Sequence, residues 1–270
     1  MASCRHGHGR GITARLTSSR LIGRSAELAE LEAALAAAEE GRPAPVLVAG
    51  ESGVGKTRLL AELQRRAEEG GALVLCGEAI DLGGDSELPY LPLVAAVRPL
   101  ARSGSLPEAV APLLPGLGAA RPDRGEDAQP RLFEGLLSLL DDLGQERPVL
   151  LVLEDLQWAD RSTRTALRFL GRSLTTERVL LVVSYRSDEL DRGHPLRPLL
   201  AELERDPRAY RIGLGPLTRE QVAEQVADIV GGRPEPELLD RVWTRAGGNP
   251  LFGEELLAAR LGAAPDTLRE

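Results

Sequence analysis

Four short stretches of the chain are apolar at nearly every position, with no alternation between apolar and polar residues. A β-strand that is covered by helices on both faces has this pattern, as in a parallel sheet. A fifth, shorter stretch predicts an additional strand. The predicted strands are residues 46–49, 72–76, 149–153, 179–183 and 210–214.

Between these stretches the apolar residues recur every three or four positions, which is the period of an amphipathic α-helix. The first helix is predicted to begin at Ser25 as its N-cap, with Leu28, Leu31 and Leu35 on one face. Further helices are predicted from residue 57 onwards and at 90–101, 107–114, 131–143, 162–173 and within 195–205. Because strands and helices alternate, the sequence predicts a doubly wound parallel α/β sheet.

From Leu217 onwards the pattern predicts helices only, at 218–230, 235–246 and about 250–261. This part of the chain is expected to form a small all-α lid domain. The predicted organisation is a basic tail at 1–20, an α/β domain at 21–215, the lid at 216–262 and a second tail at 263–270.

Residues 1–20 contain Arg5, Arg10, Arg15 and Arg20 but no acidic residue. They also lack the apolar segment of a secretory signal peptide. We interpret them either as a disordered tail or as an over-extended start of the reading frame.

A glycine-rich segment links the first strand to the helix that follows it. It matches the phosphate-binding P-loop pattern G-x-x-x-x-G-K-[ST], in which backbone N–H groups hold phosphate oxygens, a lysine reaches the β- and γ-phosphates and a hydroxyl meets Mg²⁺. The chain has no lysine other than Lys56, which occupies the required position. We therefore predict a nucleotide site formed by Gly50, Glu51, Ser52, Gly53, Val54, Gly55, Lys56, Thr57 and Arg58, with Thr57 as a metal ligand.

The third predicted strand ends in Glu154 and Asp155. Acidic residues in this position form the Walker B arrangement, in which one carboxylate holds Mg²⁺ and a neighbour orients or deprotonates the attacking water. Successive side chains of a strand point to opposite faces, so only one of the two can be the primary ligand if the strand continues through both. The residue type alone leaves open which one it is.

Two residues that follow the Walker B pair are interpreted as structural. Asp160 is expected to cap the next helix, and Trp158 is expected to pack beneath the loop. The fourth strand ends in Arg186, which lies where a cation could sense the γ-phosphate. We therefore count Lys56, Glu154, Asp155 and Arg186 as the candidate catalytic residues.

Composition narrows the class of protein. The net charge of −8 argues against a generally basic surface for nucleic acid. No apolar run is long enough to span a membrane. The chain has two cysteines, too few for a disulfide framework, which favours a reducing cytoplasm. Aromatic residues make up 3% of the chain, so Leu, Val and Ala must supply most of the core.

Taken together, these motifs resemble the signal-transducing P-loop ATPases with numerous domains, the STAND branch related to AAA+ proteins. The similarity is to the ATPase module of large LuxR-type bacterial transcriptional regulators and to the ATPase modules that accompany adenylate cyclase domains. The matching stretches are residues 21–28, 50–57, 151–160, 184–186 and 247–252.

The resemblance implies further roles. Gly23 and Arg24 would lie near the adenine, Arg186 would sense the γ-phosphate, and Pro250 would contact the base or sugar from the lid. Glu154 departs from the family pattern, in which Asp is commoner, and this argues against efficient turnover. The regulators of this family also carry helical repeats and a helix-turn-helix, so the chain is expected to be a fragment or to work through another chain.

The sequence therefore predicts a switch that binds ATP or ADP with Mg²⁺ and hydrolyses ATP slowly. The expected partners are effector domains or proteins, DNA only through regions outside this chain, and further copies in a nucleotide-dependent oligomer. Two alternatives stay open: a nucleotide-binding scaffold without turnover, and an AAA+ initiator-like ATPase that acts on DNA.

Overall fold

The computed structural model describes residues 16–82, 88–102, 110, 113 and 128–260. The predicted tail at 263–270, most of the predicted tail at 1–20 and nearly all of the predicted helix at 107–114 lie outside these residues.

A parallel sheet of five strands forms the centre of the larger part of the molecule. The strands are β1 (Pro45–Gly50), β2 (Leu73–Glu78), β3 (Val149–Glu154), β4 (Val179–Arg186) and β5 (Tyr210–Leu214), in the order β2-β3-β4-β1-β5. Every pairing between neighbours is parallel, so all strands end at the same edge of the sheet. This confirms the predicted fold class.

Helices cover both faces of the sheet. One face packs against α1 (Ser25–Glu39) and α2 (Lys56–Glu69), and the other packs against α3 (Leu91–Arg102), α4 (Ala128–Glu146), α5 (Arg161–Ser173) and α6 (Arg197–Leu203). Successive residues of β3 contribute alternately to the two apolar layers, as Leu151 and Val152 do. Burial on both faces is the reason that this strand has no alternation in sequence.

The C-terminal part is a small helical unit made of α7 (Arg219–Val230), α8 (Pro236–Ala246) and α9 (Pro250–Arg260). It has an apolar cluster of its own, which consists of Leu217, Val222, Val226, Val242 and Leu257. A capping box between Thr218 and Gln221 begins α7, and Gly231 and Gly247 end α7 and α8 in left-handed conformations. We call residues 216–260 the lid.

Several local expectations can be compared with the structure. Asp160 caps α5 as predicted, because its carboxylate accepts from the N–H groups of Ser162 at 2.8 Å and Thr163 at 2.9 Å. The expectation for Ser25 is wrong: this residue is already helical, and Arg24 takes the N-cap position without a side-chain cap. The expectation for Trp158 is also wrong, since its side chain is 40% exposed.

Part of the predicted N-terminal tail belongs to the folded structure. Ser18 is buried and donates its hydroxyl to Asp228 of the lid at 2.8 Å. The backbone N–H of Ser19 donates to the same carboxylate at 2.6 Å. The predicted tail boundary after residue 20 is therefore too late, because it rested on composition, which does not reveal a partner more than 200 positions away.

Candidate nucleotide site

The P-loop connects the end of β1 to the start of α2 at the carboxyl edge of the sheet. Gly53 has a φ of 75° and Gly55 a φ of 103°, conformations that L-residues with a side chain rarely adopt. A Cβ on Gly50 would lie 2.8 Å from Val54 and 2.9 Å from the carbonyl oxygen of Leu214. The three glycines of the motif are thus required by the backbone path and by its close packing.

Lys56 lies at the centre of this loop and is buried. Its ammonium donates to the carbonyl oxygens of Gly50 at 2.7 Å and Glu51 at 2.9 Å. Burial lowers the pKa of the Lys56 ammonium, and the charge of Asp155 partly opposes that shift. The cation is therefore held inside the loop and close to the Walker B carboxylate.

The two acidic residues after β3 have different environments. Glu154 is the last residue of the strand and is buried. Asp155 leaves the strand in a left-handed conformation with a φ of 55°, and its backbone N–H donates to the Ser184 hydroxyl at 3.3 Å. The strand does not continue through both residues, so the alternation of a strand cannot decide between them. Asp155 is the one whose charge acts on Lys56.

Arg186 meets Asp155 at the same edge. The register pairs Gly50 with Arg186, so the last residue of β4 lies beside the start of the P-loop. Its Nε lies 3.5 Å from the Asp155 carboxylate, and its Nη1 lies 2.7 Å from Glu189. The P-loop, the Walker B pair and the predicted sensor are thus brought together.

Gln157 is a residue of this site that the sequence analysis missed. Its side chain is buried, its Nε2 donates to Asp155 at 3.2 Å, and its Oε1 accepts from the backbone N–H of Arg186 at 3.0 Å. A buried amide costs free energy unless both of its ends are satisfied. It therefore ties the Walker B residue to the sensor strand. Its position two residues after Asp155 is the only sequence signal for this role.

The lid contacts the P-loop directly through the turn between α8 and α9. The Asn249 side chain donates to the Ser52 carbonyl oxygen at 2.8 Å, and the Leu251 N–H donates to the Gly53 carbonyl oxygen at 3.3 Å. A Cβ on Gly53 would lie 2.8 Å from Asn249 Oδ1. Sequence reasoning did not identify Asn249, although it lies next to Pro250 in a stretch that carried the resemblance.

A small cavity lies between the N-terminal segment, the P-loop and the lid. Its volume is about 30 Å³, and its lining includes Arg24, Val54, Arg58, Gln225 and Pro250. Arg24 and Pro250, which were predicted to lie near the base, therefore come together here. Gly23 has a φ of 66° and lies against the Gln221 side chain of the lid.

Arg24 and Arg58, which were predicted to bind nucleotide, form contacts with other groups of the protein. Arg24 is buried and donates to the carbonyl oxygens of Val54 at 3.1 Å and Gly215 at 2.5 Å. It thereby joins the P-loop to the linker that leads into the lid. Arg58 forms an ion pair with Glu254 of α9 at 3.3 Å. Arg58 thus connects the two parts of the molecule, whereas Arg24 reaches the linker between them.

The residues of this site fit a nucleoside triphosphate and Mg²⁺. A Cβ on Gly55 would meet no atom within 4 Å, so the loop is open at this point, and the buried Lys56 supplies the positive charge. Among the described residues no group of three or more His, Cys, Asp or Glu side chains could hold a metal ion by itself. Mg²⁺ is usually held by one or two carboxylates together with substrate phosphates. Thr57, Glu154 and Asp155 are the residues that would hold it.

A parallel sheet in the order β2-β3-β4-β1-β5, with a P-loop after β1 and a helical lid, is the fold of P-loop ATPases of the AAA+ class. The family model described as "AAA ATPase domain" matches residues 20–183. The chain belongs to this family.

A curated relative and several solved structures are similar to the chain. An uncharacterized protein of Rhizobium meliloti (strain 1021) is 29% identical over 257 residues, which cover 85% of this chain and 24% of that protein. Cdc6p from Pyrobaculum aerophilum has a TM-score of 0.59 at 18% identity and covers 91% of this chain and 64% of its own. The Aeropyrum pernix Orc1 protein, solved in complex with DNA, has a TM-score of 0.52 at 19% identity, with coverages of 93% and 63%.

A STAND protein with a tetratricopeptide repeat sensor from Pyrococcus horikoshii is similar at a TM-score of 0.49 and 15% identity, with coverages of 96% and 33%. At these identities the solved structures establish the fold and nothing about the activity. The chain spans about a quarter of the Rhizobium protein and less than two thirds of the Cdc6p and Orc1 chains. None of the described helices is both long and apolar enough to cross a membrane.

Proposed function

We propose that this chain is an ATP-binding regulatory switch that hydrolyses ATP slowly with Mg²⁺. The observation that supports this most directly is the contact of the lid with the phosphate loop itself, through Asn249 on Ser52 and Leu251 on Gly53. Any change of the P-loop backbone around a phosphate therefore reaches the lid without an intermediate element.

The chemistry follows from the residues at the sheet edge. The P-loop N–H groups and Lys56 hold the phosphates, while Mg²⁺, when bound to Thr57 and a Walker B carboxylate, neutralises charge on them. We assign to Asp155 the role of orienting or deprotonating the attacking water, because its carboxylate lies at the sheet edge beside Arg186. Arg186, bound to Asp155, is placed to respond to the γ-phosphate.

The switch operates because one ligand touches both parts of the molecule. We assign the purine base to the cavity that is lined by Arg24 and Pro250, and the phosphates to the P-loop. A ligand shifts a conformational equilibrium only by its difference in affinity for the two states. ATP and ADP differ at the γ-phosphate, so they favour different positions of the lid.

The resemblance to STAND modules supports a place in signal transduction, as in LuxR-type transcriptional regulators. In this proposal the lid and the chain beyond it act on effector domains or proteins in the cytoplasm. DNA is contacted only through regions outside this chain, and copies associate in a nucleotide-dependent manner. The first measurement for this part is the mass of the protein in solution with ATP and with ADP.

Binding is tested by titration calorimetry of ATP and ADP with Mg²⁺. We expect dissociation constants on the order of micromolar, and loss of binding in Lys56→Ala. Arg66→Ala is the matched control, because Arg66 lies on the same helix and its ion pairs with Glu32 and Glu62 are far from the loop. Absence of binding by the wild-type protein would overturn the proposal.

Hydrolysis separates the switch from its alternatives. Glu154→Gln and Asp155→Asn should abolish phosphate release, and an unchanged slow rate would favour a nucleotide-binding scaffold without turnover. The initiator-like alternative is tested by titration with duplex DNA at low salt. Tight, salt-dependent binding by this chain would favour that alternative.

The contact between lid and P-loop can be tested on its own. Asn249→Asp keeps the acceptor that caps α9 for the N–H groups of Leu251 and Phe252, but it loses the donor to Ser52. We expect this variant to bind nucleotide while its lid no longer distinguishes ATP from ADP in hydrogen exchange. If the lid still distinguishes them, the contact does not transmit the nucleotide state.

A further inference from the structure

The segment just before Leu21 is attached to the lid by one carboxylate. Asp228 on α7 accepts from the Ser18 hydroxyl at 2.8 Å, the Ser19 N–H at 2.6 Å and Arg20 Nε at 3.1 Å. Asp228 is thus surrounded by donors from three consecutive residues. The segment is held by its backbone as well as by its side chains.

The same segment is attached to the P-loop helix. Arg58 on α2 donates to the carbonyl oxygen of Arg20 at 3.0 Å and to that of Ser18. It also pairs with Glu254 on α9, which in turn accepts from the Ser18 N–H at 3.2 Å. We call Ser18, Ser19, Arg20, Arg58, Asp228 and Glu254 the clasp. It joins the N-terminal segment to three helices, α2, α7 and α9.

The clasp lies at the cavity that we assign to the purine base. Ser18, Arg20 and Arg58 are among the lining residues, opposite Gln225 and Pro250 of the lid. The cavity measures about 30 Å³, which leaves room for one or two water molecules. A base that binds in this cavity would contact the clasp residues, so separation of the clasp from the lid would widen its path in and out.

The ion pairs of the clasp are partly open to solvent. The Arg20 side chain is 68% exposed and that of Arg58 is 35% exposed, while the side chains of Asp228 and Glu254 are each 12% exposed, so solvent and salt screen both ion pairs in part. The apolar cluster of the lid consists of lid residues alone. The polar contacts of the clasp can therefore open while this cluster stays intact.

We propose that the clasp is a gate that controls nucleotide exchange. Release of Ser18–Arg20 from Asp228 removes the contacts that tie the N-terminal segment to α7 and loosens the lid at the base cavity, and the re-formation of these contacts retains the bound nucleotide. The gate rests on the proposed function, since it assumes that this cavity takes the base. It adds a role for the N-terminal segment that no motif indicates.

The test is the dissociation rate of a fluorescent ATP analogue, chased with excess ATP, from the full chain. Asp228→Ala removes every acceptor contact of the segment with α7 and should accelerate release by about tenfold. Asp240→Ala is the matched control, because this lid carboxylate pairs with Arg219 inside the lid. It should release the analogue at a rate within about twofold of wild type.

A second variant, Arg20→Ala, keeps the gate testable if Asp228→Ala does not fold. Arg20→Ala removes one contact from the segment side, at a side chain that is 68% exposed, and should accelerate release by a smaller factor. In both clasp variants, but not in Asp240→Ala, the amides of residues 18–22 should exchange faster with deuterium. Faster release in the clasp variants alone supports the gate.

The experiment distinguishes a failure of the gate from a failure of the proposed function. If the wild-type protein binds the analogue and both clasp variants release it at the wild-type rate, the gate is wrong and the proposed function stands. If the wild-type protein binds no nucleotide, the proposed function is wrong, and the gate is overturned with it.

Discussion

The sheet and the lid are held in place by different forces. The sheet lies between two large apolar layers, and residues such as Val182 and Leu151 in its central strands are almost completely buried. The lid has a cluster of five buried apolar residues. Its described hydrogen bonds to the rest of the molecule run through Asn249, Leu251, Asp228 and Glu254.

A switch needs one part that keeps a fixed geometry and another part that can move, and these two kinds of contact suit the two needs. Apolar burial is non-directional and large, so the strand ends that carry Gly50, Asp155 and Arg186 keep a fixed geometry. Hydrogen bonds and exposed ion pairs contribute about 0–1.5 kcal/mol each, so they form and break readily. In the proposed function, the candidate catalytic groups lie on the rigid part, and the response to nucleotide is assigned to the part that can detach.

The largest effect is expected from deleting apolar volume in each region. Leu181→Ala in the sheet and Leu257→Ala in the lid should each cost about 2–5 kcal/mol. Loss of apolar volume in the sheet should lower the free energy of unfolding of the whole domain. Loss of apolar volume in the lid should raise the rate of hydrogen exchange in α7, α8 and α9 alone. Urea unfolding together with hydrogen exchange distinguishes the two. Global destabilisation by Leu257→Ala would show that lid and sheet unfold as one unit.

The next effect concerns the boundary between the regions. Gly53→Ala places a methyl group 2.8 Å from Asn249 Oδ1 in a left-handed conformation that costs about 1–2 kcal/mol. We expect weaker nucleotide binding and faster exchange in α9. Gly55→Ala is the matched control, since it strains the loop at a φ of 103° but meets no atom within 4 Å. Equal lid exchange in both variants would mean that loop strain, rather than the contact, controls the lid.

The next prediction concerns the carboxyl edge of the sheet alone. Gln157→Ala removes the bridge between Asp155 and the Arg186 backbone and should slow hydrolysis by about tenfold while leaving the dissociation constant of ATP unchanged. Single-turnover hydrolysis and calorimetry measure the two quantities separately. Trp158→Ala, at the exposed neighbouring side chain, is the control. A parallel loss of affinity in Gln157→Ala would indicate a general disturbance of the site.

The smallest effect concerns the charge inside the P-loop. Burial lowers the pKa of Lys56 in the folded chain, so the unfolded chain binds the proton more tightly. Below the lowered pKa, Lys56 is charged in both states, and its burial as a cation disfavours folding. The free energy of unfolding should therefore rise as the pH increases from the lowered pKa of the folded chain to the usual lysine pKa of the unfolded chain. Lys56→Met should remove this alkaline rise. Urea unfolding without nucleotide at several alkaline pH values measures it, and identical slopes in both proteins would contradict it.

Much of the framework could be read from local pattern. Leu150 to Leu153 predicted a doubly covered strand because burial on both faces leaves no polar position, and Asp160 predicted a helix cap because its carboxylate acts on N–H groups two and three residues away. Trp158 was mispredicted, since exposure depends on which elements pass over a loop. Gln157 was missed because its two partners come from different strands.

The sequence by itself determined the parallel sheet, the P-loop and the presence of a helical lid, since each follows from residue periodicity or from a fixed spacing within one short segment. Only the tertiary structure decided the strand order and the departure of Asp155 from its strand. It also decided the contacts of Asn249 with Ser52 and of Ser18 with Asp228. These depend on the meeting of residues that are far apart in the chain, and local pattern carries no information about such pairs.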